Sequence, residues 1–187
     1  EVIQYLYNTF KDTIDINKQN NNGYNALMFA AKYNTNIEVI QYLCNTFKDI
    51  IDINQLNKNG YTAFLLAVQN NTNIEVIHYL CNTFKDTIDI NKQNEDGNTA
   101  LMLAAEYNTN EKVIQYLCDT FKDTIDINKQ NYDGYTALML AAKNNTSVAV
   151  IQYLCDTFKD VTDINIQNRN GYTALMLAAH HNVNVKV

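Results

Sequence analysis

The chain has 187 residues, with 20 Asp and Glu against 14 Lys and Arg, a net charge of −6 and a sequence pI near 4.9. That balance excludes the basic surface that displaces counterions from nucleic acid or settles on anionic lipid. The longest clean apolar run, Ala63 to Val68, falls far short of the roughly 18 residues that mark a membrane helix, so no membrane insertion is expected.

Taken in chain order, the elements repeat. Val2-Ile3-Gln4-Tyr5-Leu6 starts an apolar-striped helix, and a polar loop carries the chain to Gly23. From there the five glycines, Gly23, Gly60, Gly97, Gly134 and Gly171, stand 37 residues apart each time. Tyr24-Asn25-Ala26-Leu27-Met28 recurs as Tyr61 to Leu65, Asn98 to Met102, Tyr135 to Met139 and Tyr172 to Met176. Val39-Ile40-Gln41-Tyr42-Leu43-Cys44 recurs from Val76, Val113 and Val150. A fixed period of this size is the signature of a solenoid, in which each unit buries its apolar face only against its neighbours. The units are 23–59, 60–96, 97–133 and 134–170, with half units at 1–22 and 171–187. Both ends carry ordinary repeat sequence, Val2 and Ile3 at one and Val185 and Val187 at the other, where a solenoid wants polar caps. The expectation is a window on a longer array. Pro and Trp are absent, and the abundance of Asn, Ile, Lys and Tyr suits an A/T-rich coding sequence.

One unit shows the expected local structure. Thr62 reads as the N-cap of a short helix running from Ala63 to Asn70, and Asn71-Thr72-Asn73 breaks it, because short polar side chains compete for backbone hydrogen bonds. Thr72 with Glu75, like Thr35 with Glu38, matches a capping box for a second helix. Val76, Leu80 and Phe84 form the buried stripe of that helix. Thr87-Ile88-Asp89-Ile90-Asn91 alternates like a short extended arm, and Glu95-Asp96-Gly97 supplies a turn with positive φ.

This plan resembles the ankyrin repeat, whose Gly-x-Thr-x-Leu-x-x-Ala-Ala appears as Gly134-Tyr135-Thr136-Ala137-Leu138-Met139-Leu140-Ala141-Ala142. The Asp-Ile-Asn at 52–54, 89–91, 126–128 and 163–165 is similar to the Asp-Val-Asn that precedes the family's hairpin. The resemblance covers the whole chain and implies an all-α solenoid of stacked antiparallel helix pairs joined by β-hairpin-like loops. Two departures stand out. Thr-Ala-Leu-Met replaces the family's Thr-Pro-Leu-His, and each unit has 37 residues where the family has 33. Four residues are about one helical turn, or roughly 6 Å. The expectation is therefore a second helix longer than the first, with Phe10, Phe47, Phe84, Phe121 and Phe158 as an added buried aromatic layer. A tetratricopeptide array is the alternative fold; it lacks the alternating arm and needs two longer helices.

No chemistry of catalysis is written in the repeat. The carboxylates fall in identical columns, Asp49, Asp86, Asp123, Asp160 and Asp52, Asp89, Asp126, Asp163, whereas an acid–base pair needs two different environments. Cys44, Cys81, Cys118 and Cys155 also share one column; stacked helices about 8–10 Å apart hold such residues beyond disulfide reach. No cysteine pair has zinc-ligand spacing and no cofactor motif occurs, so neither metal, cofactor nor disulfide is expected, and unpaired thiols suit a reducing, cytoplasmic setting. Variation concentrates two residues before each glycine, at Asn21, Lys58, Glu95, Tyr132 and Arg169. It also appears at the ends of the first helices, at Lys32/Tyr33, Gln69/Asn70, Glu106/Tyr107, Lys143/Asn144 and His180/His181. The ankyrin resemblance implies that these positions line a concave face gripping a protein partner. Lys32, Tyr33, Lys58, Gln69, Asn70, Glu95, Glu106, Tyr107, Tyr132, Lys143, Asn144, Arg169 and His180 are the candidate contact residues of a monomeric array. The alternative function is a structural or spacer array within a larger protein.

Overall fold

A computed structural model of the chain describes residues 1–108, 110–144 and 147–181; Val185 and Val187 of the apolar columns lie outside the described residues. Helix α1 (Val2–Phe10) is a lone second helix. First helices α2 (Ala26–Tyr33), α4 (Ala63–Asn70), α6 (Ala100–Tyr107) and α8 (Ala137–Asn144) then alternate with second helices α3 (Ile37–Thr46), α5 (Ile74–Phe84), α7 (Glu111–Phe121) and α9 (Val148–Thr157), and α10 (Ala174–His181) is one more first helix. No strand occurs among the described residues. The first helices have 8 residues and α3, α5, α7 and α9 have 10 or 11, so the second helix is the longer of the two; Phe47 and Phe158 stand at its C-cap, and turns follow it.

Helices α2 to α7 each start where a short side chain satisfies an orphan amide. Asn25, Thr62 and Thr99 accept from Met28, Leu65 and Met102 at 2.9, 3.1 and 3.4 Å. Thr99 also donates its own N–H to Met102 Sδ at 3.4 Å, the thioether standing where Glu would close a capping box. The second helices depart from expectation. Asn36 and Asn73 carry their caps, accepting from Glu38 and Glu75 at 3.0 and 3.1 Å, and Thr35 and Thr72 do not. The carboxamide reaches the N–H two residues on, which competes successfully with the longer threonine–glutamate loop.

The Ile-Asp-Ile-Asn segment is a turn and not an extended arm. Asp89 Oδ1 accepts the Asn91 N–H at 2.9 Å and the Asp89 carbonyl accepts the Lys92 N–H at 3.1 Å. The alternation arises because the turn dips Ile90, 4 % exposed, into the core between polar residues held in its bonds. Beyond it, a hairpin-like tip is closed by bonds such as Asn94 N–H to the Asn98 carbonyl at 3.1 Å and Gly97 N–H to the Asn94 carbonyl at 2.9 Å. Gly97 has φ +79°, and a Cβ there would stand 2.6 Å from the Tyr132 nitrogen, so both backbone conformation and close approach require glycine.

Units are tied by side-chain amides as well as by the apolar core. Asn71 Nδ2 reaches back to the Ala31 and Asn34 carbonyls at 2.9 and 3.1 Å, and Asn108 Nδ2 to those of Val68 and Asn71 at 2.6 and 3.3 Å. Asn91 donates to the Thr124 carbonyl at 2.6 Å and accepts the Asp126 N–H at 3.0 Å. Gln130 Nε2 bridges the Gly134 and Gln167 carbonyls at 2.6 and 3.0 Å. In the added aromatic layer Phe47, Phe121 and Phe158 are buried as expected, but Phe84 is only half-buried. Phe10 is 53 % exposed, because α1 is flanked by the array on one side only. Neighbouring first helices approach one another more closely than neighbouring second helices.

Candidate binding face

From Gly60 onward, the residue two before each glycine has its backbone tied and its side chain exposed. Lys58, Glu95, Tyr132 and Arg169 each donate their N–H to the preceding tip, at the carbonyls of Asn22, Asn59, Asp96 and Asp133, over 3.0 to 3.2 Å. All four side chains are exposed. The Tyr132 ring leans on Gly97, its Cδ1 2.7 Å from where a Cβ would be. The tip column is therefore a row of interchangeable side chains on a rigid ladder.

The ends of the first helices form two clusters. In the first, Lys32 Nζ lies 5.0 Å from the centroid of the exposed Tyr33 ring and 5.6 Å from that of Tyr24, and Phe29 stacks on Tyr33 at 6.4 Å. The second lies across the central units. Asn144 Nδ2 donates to Glu106 Oε1 at 3.2 Å, Lys143 Nζ sits 4.9 Å from the Tyr135 centroid, and Gln69 Nε2 donates to the Tyr61 hydroxyl at 3.5 Å. Burial holds the Glu106 carboxyl above the usual carboxylate range, only partly offset by the Tyr107 hydrogen bond and the Lys143 charge, while Asp96 pushes it the same way as burial. Tyr107 is raised by burial and then by Glu106, and Tyr61 by burial with Asp96 and Glu106 adding to it. These groups share one negative potential.

The structure thus gathers Gln69, Glu106, Tyr107, Lys143 and Asn144, and separately Lys32 with Tyr33. Lys58, Glu95, Tyr132 and Arg169 stay spread along the tips. Asn70 is engaged by its own helix, donating to the Leu66 carbonyl at 3.1 Å and Gln69 Oε1 at 3.0 Å. His180 stands exposed at the end of α10 with Nδ1 3.0 Å from His181 Nε2. Sequence reasoning missed Asp96 and the tyrosines after the glycines, Tyr24, Tyr61 and Tyr135. The available signal was spacing, since each tyrosine precedes its first-helix end by eight residues, as in Tyr24/Lys32 and Tyr135/Lys143.

Cys44, Cys81 and Cys118 are buried, unpaired thiols whose pKa burial pushes up to about 12; Cys155 is half-buried, and burial raises it as well. Among the described residues no group of three or more His, Cys, Asp and Glu side chains could hold a metal ion, and no helix is long and apolar enough to cross a membrane.

The family model described as "Ankyrin repeats (3 copies)" matches residues 1–94, 46–131, 84–165 and 121–187. No curated protein matches the chain. Among solved structures, one similar chain occurs in the complex of the predatory endopeptidase Bd0816 from Bdellovibrio bacteriovorus with immunity protein Bd3460. It shares 28 % identity at a TM-score of 0.75, over 95 % of this chain and 84 % of that one.

Proposed function

The chain belongs to the ankyrin-repeat family, and we propose that it is a non-catalytic interaction module that takes a polypeptide partner on the face formed by its hairpin tips and first helices. The observation that carries this is the tip ladder: five different side chains at one column, four of them on backbone ties that leave the side chain free. A spacer array gains nothing from that diversity, whereas a recognition surface is made of it. The complex in which the similar solved chain occurs, an endopeptidase with an immunity protein, supports protein binding as the use of such a stack. The partner places a basic or aromatic segment across the central units, where Glu95 and Glu106 lie between Lys58 and Lys143. We assign the module to a reducing, cytoplasmic setting as a monomer, which its unpaired thiols support.

Tyrosine supplies contact area at low entropic cost and is enriched at interface hot spots. With a partner recovered by affinity capture, Tyr107→Ala and Tyr132→Ala are each expected to weaken binding by more than about 1 kcal/mol in calorimetry while the unfolding midpoint stays put. Silence of both, with loss of binding on substitution of exposed residues of α5 and α7, would reject the concave face.

A further inference from the structure

The tyrosines after the glycines show what their rings prefer to hold. In the unit headed by Gly23, Lys32 folds back over Tyr24 at 5.6 Å, and in the unit headed by Gly134, Lys143 covers Tyr135 at 4.9 Å. An ammonium within about 6 Å of a ring centroid is attracted by the ring quadrupole. The unit headed by Gly60 departs from this arrangement. Its lysine position is the neutral Gln69, bonded to the Tyr61 hydroxyl at 3.5 Å, and no cation of the described residues lies over the Tyr61 ring.

The next unit departs at the same place. The residues standing 35 and 45 positions after Tyr24 are the neutral Asn59 and Gln69, and those after Tyr135 are Asn170 and His180. After Tyr61 they are Asp96 and Glu106, and both carboxylates act on the Tyr61 hydroxyl. Of the four tyrosines that follow a glycine, Tyr61 and Tyr172 lack the lysine eight residues on, and Tyr61 has gained two carboxylates. Tyr107 adds a second, half-exposed ring beside Glu106. Lys143 also acts on Glu106 but lies over the Tyr135 ring.

We propose that Tyr61, Asp96 and Glu106, with Tyr107 beside them, receive a lysine or arginine side chain of the polypeptide partner, which supplies from outside the cation that Lys32 and Lys143 supply from within. The ring face takes the cation and the carboxylates pair with its N–H donors, a combination stronger than either contact alone because Tyr61 and Glu106 are partly withdrawn from water. This rests on the reading of the first-helix side as the binding face and adds the chemistry of the residue it anchors.

The test is an NMR titration of the labelled full chain with the probe peptides acetyl-Gly-Lys-Gly-amide, acetyl-Gly-Arg-Gly-amide and acetyl-Gly-Gln-Gly-amide. Saturable shifts of the Tyr61 and Tyr107 rings are expected with the two cationic peptides and not with the neutral one, and the tighter of the two identifies the anchor. Gln69→Lys restores the internal cation that the neighbouring units carry, so it keeps the fold and is expected to weaken peptide binding about tenfold. The Asp96→Asn, Glu106→Gln double variant is expected to do the same by removing the charge. Equal response to the neutral peptide, shifts mapping elsewhere, or unchanged binding to both variants would overturn the proposal. If the peptides fail while Tyr107→Ala and Tyr132→Ala still weaken the captured partner, only the cationic anchor is wrong; if those substitutions are silent too, the binding face itself is misassigned.

Discussion

Between the hairpin-like tips closed at Gly97 and Gly134, Gln93 Nε2 donates to the Gln130 carbonyl at 3.0 Å and Asn91 Oδ1 accepts the Asp126 N–H at 3.0 Å. One tip earlier, between those closed at Gly60 and Gly97, both bonds are missing. Leu56 occupies the glutamine column and has no amide to give, and the Asp89 N–H has no partner among the described residues although Asn54 still donates to the Thr87 carbonyl at 3.0 Å. Val68 stands in the column of Ala31, Ala105 and Ala142, and α4 and α6 approach less closely than the other neighbouring first helices. Phe84 is half-buried where Phe121 is 7 % exposed. The loosened junction is the one that Tyr61, Asp96 and Glu106 straddle. Repeat symmetry specifies the fold, and its local breaks coincide with the proposed anchor, as expected where stability rules give way to recognition.

The largest expected effect separates the two aromatic sites. Phe121→Ala is expected to lower unfolding free energy in urea by about 3–5 kcal/mol, and Phe84→Ala by roughly half that, since the latter ring has less apolar area to lose. Equal losses would show that the two junctions are packed alike. Next come the amide ties. Gln130→Leu removes two bonds and is expected to cost roughly 1–3 kcal/mol, while the reverse exchange at the loose junction, Leu56→Gln, is expected to stabilise by about 1 kcal/mol. A destabilising Leu56→Gln would mean that Leu56 contributes more by its contacts than the missing ladder would. The finest test is amide hydrogen exchange: the Asp89 N–H is expected to exchange about tenfold or more faster than those of Asp126 and Asp163, which are bonded to Asn91 and Asn128 at 3.0 and 2.9 Å. Matching protection at all three would erase the difference between the junctions.

The fold was legible because repetition turns a weak local signal into a strong one. A single Gly-Tyr-Thr-Ala-Leu-Met could open many helices, but its recurrence every 37 residues leaves only a stack. What escaped were features that depend on contacts between units. The Asn columns read as codon bias and helix breaking, yet Asn71 and Asn108 are buried and span two units each. The Ile-Asp-Ile-Asn alternation has the period of a strand, and only the Asx bond from Asp89 to Asn91 reveals a turn. At the binding face, Glu106, Tyr107 and Lys143 were visible as variable columns, while Tyr61 was hidden by its regularity: it looks like Tyr24 and Tyr135 until the residues 35 and 45 positions later are compared. The half-buried amide of Asn131 carries the same lesson, since it finds Asn98 Oδ1 at 2.8 Å, whereas the buried amides of Asn57 and Asn168, each preceded at that spacing by a tyrosine, have no acceptor among the described residues.

The tip ladder bears on how such a chain changes over generations. Each tip is secured by an N–H that every residue except proline possesses, so the genetic code can be sampled almost freely at Lys58, Glu95, Tyr132 and Arg169 without a folding penalty. Because every tie spans the same distance along the chain, a whole 37-residue segment can be copied or deleted and the flanking ties re-form in register. A lineage carrying this array can rewrite its exposed surface one tip at a time, or extend the stack by one unit at a stroke, without redesigning anything beneath.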